Sequence, residues 1–258
     1  MKPYIYGKRN LIHILDLRAT VRGLIRATSF LERLSGQGGE VCFVGTKRQA
    51  RDLVSAEAKR TGMHFVNERW LGGTLTNFPT IMSRLKRLEE LEALDKTGGI
   101  DEYSKKMVSS LKREKKKIVR NLDGLRMMKR KPDAIVIVDP SHEHICVKEA
   151  KKLGIPTICL LDSNCDPDAA DIAIPGNDDA YRSIQAILGK LGDALLRGRN
   201  KFKTQLEEQK RLEEQRRAEE AKKQEAIKKA REEELAKKKA EGGAAKAEAA
   251  PAEKKENA

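Results

Sequence analysis

Aromatic residues make up only 4% of this 258-residue chain and apolar residues of every kind 39%, below the usual share of a globular domain. So thin a supply of core-forming side chains points to a folded part joined to solvated segments. No apolar run approaches the ~20 residues that a membrane-crossing helix needs, which excludes that class of protein. The opening MKPYIYGKRN is basic but has no apolar stretch of the secretory kind. Four cysteines, Cys42, Cys146, Cys159 and Cys165, form no CxxC pair. Three of them sit in or beside apolar runs, as reduced, buried thiols do in a cytosolic protein. Catalytic signatures are missing too. No GxGxxG follows an apolar run, Gly45-Thr46-Lys47 lacks the upstream glycines of a P-loop, and neither a Ser-His-Asp order nor a nucleophile elbow is present.

Charge is what the chain has in abundance. Charged residues reach 36%, with 53 Lys and Arg against 39 Asp and Glu, net +14. A polyanionic partner is therefore the first expectation. The excess is unevenly placed. Residues 201–258 carry 17 basic and 14 acidic side chains, net +3, whereas Arg84–Lys131 alone carries 16 and 8, net +8.

The apolar residues are gathered in short runs. Ala134–Val138 (AIVIV), Thr157–Leu161 (TICLL) and Ile172–Ile174 (IAI) end at Asp139, Asp162 and Pro175. Between the first two, Glu143–Leu153 places Ile145, Ala150 and Leu153 at helical spacing before Gly154. Strand, helix and strand make a β-α-β unit, and runs without polar alternation are covered on both faces, hence parallel. Val41–Val44 and His64–Val66 add two strands, joined by a helix holding Ala50, Leu53, Val54 and Ala58 and closed by Gly62. The expected class is α/β: a five-stranded parallel sheet of flavodoxin-like type, with an inserted antiparallel coiled-coil hairpin and a charged C-terminal extension.

The hairpin rests on two basic amphipathic stretches. One has Ile81, Leu85, Leu88, Leu91 and Leu94 on one side. The other has Val108, Leu111, Ile118, Leu122 and Leu125 on a heptad-like seam, with Lys115 in one slot. The link Asp95–Asp101 (DKTGGID) turns one back on the other, as a protrusion from the sheet. Asp16 is expected to cap a helix with apolar face Leu17, Val21, Leu24, Ile25, Phe30, Leu31 and Leu34, and Asn177 to cap the last helix of the body. Glu207–Lys239 reads as a solvated helix and Gly242–Ala258 as disordered. The expected organisation is 1–15 arm and edge segment, 16–79 first part of the body, 80–131 hairpin, 132–200 second part of the body, and 201–258 tail.

Several residue groups invite a chemical reading. Gly45-Thr46-Lys47 is a phosphate loop, an ordinary strand-to-helix turn, or a place where Lys47, Arg48 and Arg51 meet a nucleic-acid backbone. Asp139, Asp162, Asp166, Asp168, Asp171, Asp178 and Asp179 form an acidic rim at the strand ends, open to catalysis, to turn and cap roles, or to partner contact. His142, His144 and Cys146 alternate in a way that does not put all three on one helical face. The hairpin cations Arg84, Lys86, Arg87, Lys105, Lys106, Lys112, Arg113, Lys115, Lys116, Lys117 and Arg120 exceed what solvation requires; they are either the solvated faces of a soluble coiled coil or phosphate contacts on folded RNA. Tyr4, Tyr6 and Trp70 either stack on bases or pack on the core.

Taken in order, MKPYIYGKRN, IHILDL, FVGTKRQA, RWLGGTLTNF, PDAIVIVD, KEAKKLGIPTI, DSNCDPD and IPGNDDAYRSI, with the hairpin between the second and third core strands, closely resemble the bacterial small-subunit ribosomal protein S2 family over roughly Met1–Arg199. The resemblance implies a noncatalytic, cytoplasmic constituent of the small subunit whose partners are 16S ribosomal RNA and small-subunit proteins. Among those proteins is the large OB-domain protein that captures messenger RNA. It implies no cofactor, no metal and no membrane. Family motif residues Lys47, Arg48, Arg69, Trp70, Gly72, Gly73, Thr74, Thr76 and Asn77 become candidates for RNA or assembly contact. They join Arg51, Arg84, Arg87, Lys105, Lys106, Lys112, Arg113, Lys116, Lys117 and Arg120. Family members usually carry a segment before MKPYI, so Met1 is either an internal methionine or the start of a shortened chain. The tail lies outside the resemblance. Two other classes stay in view: a scaffold binding ribosomal proteins with little RNA contact, and a small-molecule enzyme at the acidic rim.

Overall fold

The computed structural model describes residues 1–99 and 103–247, with side chains through residue 217. Strands β1 (Ile5–Arg9) and β2 (Ile12–Leu15) pair as an antiparallel ribbon where the sequence suggests an irregular arm. The turn between them is Asn10-Leu11 rather than the usual Asn-Gly. Both residues nonetheless take positive φ, 47° and 63°, as a two-residue hairpin turn demands.

Five further strands form one parallel sheet: β3 (Val41–Val44), β4 (His64–Val66), β5 (Ala134–Val138), β6 (Thr157–Leu161) and β7 (Ile172–Pro175), in the order β4-β3-β5-β6-β7. Counted from β3, that is the flavodoxin-like order, whose direction reverses between β3 and β5. Side chains alternate between two cores. Cys42, Val44, Ile135, Ile137, Cys159 and Leu161 face one side, and Val41, Phe43, Val136, Val138, Ile158 and Leu160 the other. Both faces are covered, which is why the runs lack polar alternation.

Helices α1 (Leu17–Ser35) and α2 (Arg51–Thr61) cover the second face with the first turns of α6 (Tyr181–Ala247). On the first face, α5 (His144–Leu153) packs on the sheet, and the buried residues of α3 (Phe78–Lys96) and α4 (Lys105–Leu122) join the same cluster. Asp16 caps α1 by accepting the Arg18 N–H at 2.9 Å. Asn177 Oδ1 accepts from the N–H groups of Asp179 and Ala180, both at 2.8 Å, just before α6. Gly62 and Gly154 close α2 and α5 in the left-handed conformation, φ 67° and 68°.

Helix α1 departs from its hydropathy pattern. Its buried face is Ala19, Gly23, Ala27, Leu31 and Ser35, while Leu17, Val21 and Ile25 point outward, at 74%, 53% and 59% exposure. The reason is distance. The helix lies so close on β7 that any methyl group at Gly23 would strike the Ala173 carbonyl oxygen, and only small residues fit.

Leu85, Leu88 and Leu91 of α3, with Leu111, Ile118 and Leu122 of α4, belong to the same buried cluster as the first face of the sheet. Burying a leucine this completely contributes about 1.5–3 kcal/mol. The seam therefore fixes the two helices to each other, and its buried residues run on into the cluster under the sheet. Lys115, in its polar slot, donates to Asp95 Oδ2 at 2.6 Å. Of the link between α3 and α4, Ile100 and Asp101 lie outside the described residues.

The chain divides into Met1–Phe202 and Lys203–Ala258. In the second unit the backbone is helical through Ala247, continuing past Gly242 and Gly243 where disorder is expected from composition. Its alternating Glu and Lys residues suit a solvated helix. The rest of that expectation, residues 248–258, lies outside the described residues.

Candidate nucleic-acid interface

The loop RWLGGTLTNF is built around a carboxylate 70 residues and more downstream. Glu149 of α5 is 8% exposed. Its Oε1 accepts from Trp70 Nε1–H at 3.3 Å and Gly73 N–H at 2.6 Å. Its Oε2 accepts from the N–H groups of Leu75 at 2.9 Å and Thr76 at 3.2 Å, and from the Thr76 hydroxyl at 3.3 Å. Burial alone would raise this carboxyl's pKa. The donors of Gly73, Leu75, Thr76 and Trp70 outweigh it and hold the pKa below the ordinary 4.5. Trp70 is itself buried, so it packs and does not stack on a base. Thr74 is buried with its hydroxyl donating to the Leu71 carbonyl at 2.6 Å, and Asn77 accepts from the Thr80 hydroxyl at 2.9 Å. The loop's polar residues thus shape it, and Arg69 is its exposed cation.

That arginine meets the cations of α4. Arg69, Arg113, Lys116, Lys117 and Arg120 line a cleft of about 490 Å³ together with Glu68 and Asn121. A second cleft of about 650 Å³ follows along the helix, lined by Glu68, Lys112, Lys115, Lys116, Val119 and Arg120. A third, also about 650 Å³, runs past Tyr103, Lys105 and Lys112. Lys106 is exposed near the start of α4, and Arg84 and Arg48 are exposed outside these clefts. Arg87 is drawn to Glu90 at 3.0 Å and Glu114 at 3.7 Å. Arg51 donates to the Thr46 carbonyl at 2.9 Å and reaches Glu68 at 3.5 Å. A continuous cationic surface can neutralise successive phosphates of a nucleic acid without reading bases.

Lys47 looks inward instead. Its Nζ lies 2.9 Å from Asp178, 2.5 Å from Asp179 and 3.7 Å from Asp139. Burial disfavours the ammonium, but hydrogen bonds to Asp179 and Asp178 prevail and raise its pKa. Asp178 is 1% exposed, and its carboxyl is pushed up by burial, pulled down by Lys47 and pushed up again by Asp139. Lys47→Met should cost about 2 kcal/mol in urea unfolding at neutral pH, less than a fully buried pair because water reaches the lysine. The unpaired Asp178 then holds its proton more tightly folded than unfolded. Stability of the variant should accordingly decline as pH rises above 3.8, and the deficit should shrink in acid.

The other rim carboxylates act in turns. Asp139, at φ 60°, accepts from the N–H groups of Ser141 at 3.1 Å and His142 at 3.3 Å. Asp166 likewise accepts from Asp168 N–H at 3.1 Å. Asp171, by contrast, precedes β7 and accepts from Thr157 N–H at 2.8 Å at the start of β6, at the opposite end of the parallel strands from Asp139, so it is not part of the expected rim. His142 and His144 are exposed while Cys146 is buried, so the three do not face one site. Tyr6 of β1 is 82% exposed and Leu11 of the turn 84%. Sequence reasoning missed Glu149 and Glu68, whose partners come together only in the fold.

The family model described as ribosomal protein S2 matches residues 1–198. The small ribosomal subunit protein uS2 of Rhodopirellula baltica is 55% identical over 205 residues, covering 80% of this chain and 79% of that protein. The uS2c proteins of Rhodomonas salina and Guillardia theta are each 50% identical, over 78% and 77% of this chain and 82% and 84% of their own lengths.

Proposed function

The chain belongs to the ribosomal protein S2 family, and we propose that it serves as a noncatalytic, cytoplasmic constituent of the small ribosomal subunit, binding 16S ribosomal RNA and neighbouring proteins, with α4 and the Arg69 loop as its RNA-contacting surface. The observation that carries this reading is the convergence of Arg69, Arg113, Lys116, Lys117 and Arg120 on one cleft. Lysine and arginine there neutralise phosphates, while the apolar seam of the α3–α4 hairpin, residues 80–131, keeps the cations in line. The body, residues 16–79 and 132–200, is the platform. Lys47 holds the loop that carries Arg48, leaving Arg48 as the backbone contact of that loop. Lys105, Lys106 and Lys112 extend the surface toward the start of α4, and Arg84 adds to it from α3.

A protein partner accounts for a second surface. Leu17, Val21 and Ile25 share one face of α1 at helical spacing, and Tyr6, Leu11 and Ile12 stand out from the β1–β2 segment, all more than half exposed; Arg18 and Arg22 of α1 are exposed as well. Exposed aliphatic and aromatic side chains suit a protein neighbour better than phosphate. We assign this surface to small-subunit proteins, the large OB-domain protein among them. The test is sedimentation with small subunits across a salt series. Retention that falls steeply with salt supports the phosphate-contact reading, and salt-insensitive retention opposes it in favour of the scaffold.

A further inference from the structure

Glu68 stands where a basic surface has no evident use for a carboxylate. It is the one acidic residue among the described residues lining both the 490 Å³ and the neighbouring 650 Å³ clefts. Its Oε2 accepts from Arg120 Nε at 2.9 Å and faces Arg51 Nη1 at 3.5 Å, joining α4 to α2 across the start of the RWLGGTLTNF loop. The side chains of Glu68 and Arg120 are 25% and 67% exposed, so water screens the pair and holds it weakly. A guanidinium fork takes a carboxylate or a phosphate with the same geometry.

We propose that Glu68 is a displaceable counter-anion: a phosphate of the RNA backbone takes Arg120 from it on docking, and the carboxylate left behind sets how tightly the cleft holds a polyanion. This rests on the RNA-contacting role of α4. A carboxylate in this position could instead help binding by orienting Arg120. The two roles have opposite signs. Repulsion between Glu68 and a phosphate seated on its own former partner acts at contact range, whereas an exposed pair orients its arginine only slightly. Repulsion prevails. The carboxylate also disfavours any polyanion unable to reach the outer cations Arg69, Arg113 and Lys117 at the same time.

The test uses the full chain, labelled and titrated onto small subunits stripped of this protein, over a salt series. Glu68→Gln should bind about three- to tenfold tighter, with a log–log salt slope steeper by about one unit, because one more cation is free to release a counterion. Heparin, as a second probe, should also gain affinity. Glu68→Asp keeps the charge and should bind as the parent does. Binding of Glu68→Gln that is unchanged or weaker overturns the proposal, as does an equal gain in Glu68→Asp. If Arg113→Glu/Lys116→Glu/Lys117→Glu still binds like the parent, the RNA-contacting role itself fails, and that outcome is separate from the behaviour of Glu68→Gln.

Discussion

Reversing Arg113, Lys116 and Lys117 together to glutamate is expected to weaken binding to stripped small subunits by about 100-fold or more and to flatten the salt slope by about three units, one for each lost phosphate contact. All three side chains are exposed and line the cleft with Arg69, while the apolar neighbours Leu111 and Ile118 are 8% exposed. The substitutions therefore alter charge and leave the seam in place. Circular dichroism and the urea midpoint should stay within the range of ordinary surface changes. The control is Arg33 and Lys190, exposed cations of α1 and α6 outside the proposed surface. Reversing them lowers net charge without touching the cleft and should leave most of the slope. A parallel loss in that control would make binding a matter of total charge, not of α4.

Glu149→Ala should give the largest stability change in the body. The carboxylate receives one indole and three backbone N–H groups, and its removal strands them in a site that is 5% exposed at Trp70 and 1% at Leu75. Stranded buried donors cost about 1–3 kcal/mol each, and partial relaxation toward water leaves a net loss of about 3–5 kcal/mol in urea or thermal unfolding. Glu149→Gln keeps one acceptor but turns an amide N–H₂ toward donors, so it should lose less. The pH dependence follows from the lowered carboxyl pKa. The unfolded chain takes up the proton first, so this carboxylate's contribution is complete above 4.5 and is lost as pH falls through the lower folded value. The acid limb of the stability curve should flatten in Glu149→Gln. Arg69 also loses its support, so RNA binding should fall in the same variant.

The sheet was legible because its strands are short apolar runs cut off by glycine, proline and aspartate, and because Gly62 and Gly154 stop helices where the left-handed turn requires them. The face of α1 was not legible. Hydropathy favours Leu17, Val21 and Ile25, but the distance to β7 selects Ala19, Gly23 and Ala27, and close approach leaves no mark in a periodicity. The Asn10-Leu11 turn hid the β1–β2 ribbon for a similar reason, since leucine seldom takes a positive φ. At the site, the charge of α4 was plain in sequence, whereas its meeting with Arg69 needed the fold. Lys47 carries the look of a phosphate ligand beside a helix start, yet Asp178 and Asp179, more than 130 residues away, hold it. Glu149 and Glu68 look like ordinary helix and loop charges until their partners arrive from elsewhere in the chain.

A photo-crosslinker placed in turn at Arg113, Lys117 and Arg69 of the chain within intact small subunits tests the central claim most directly. Ribosomal RNA should be captured from all three positions, and far less from Lys190 on α6. Crosslinks that reach only protein or solvent from the α4 positions would contradict the account.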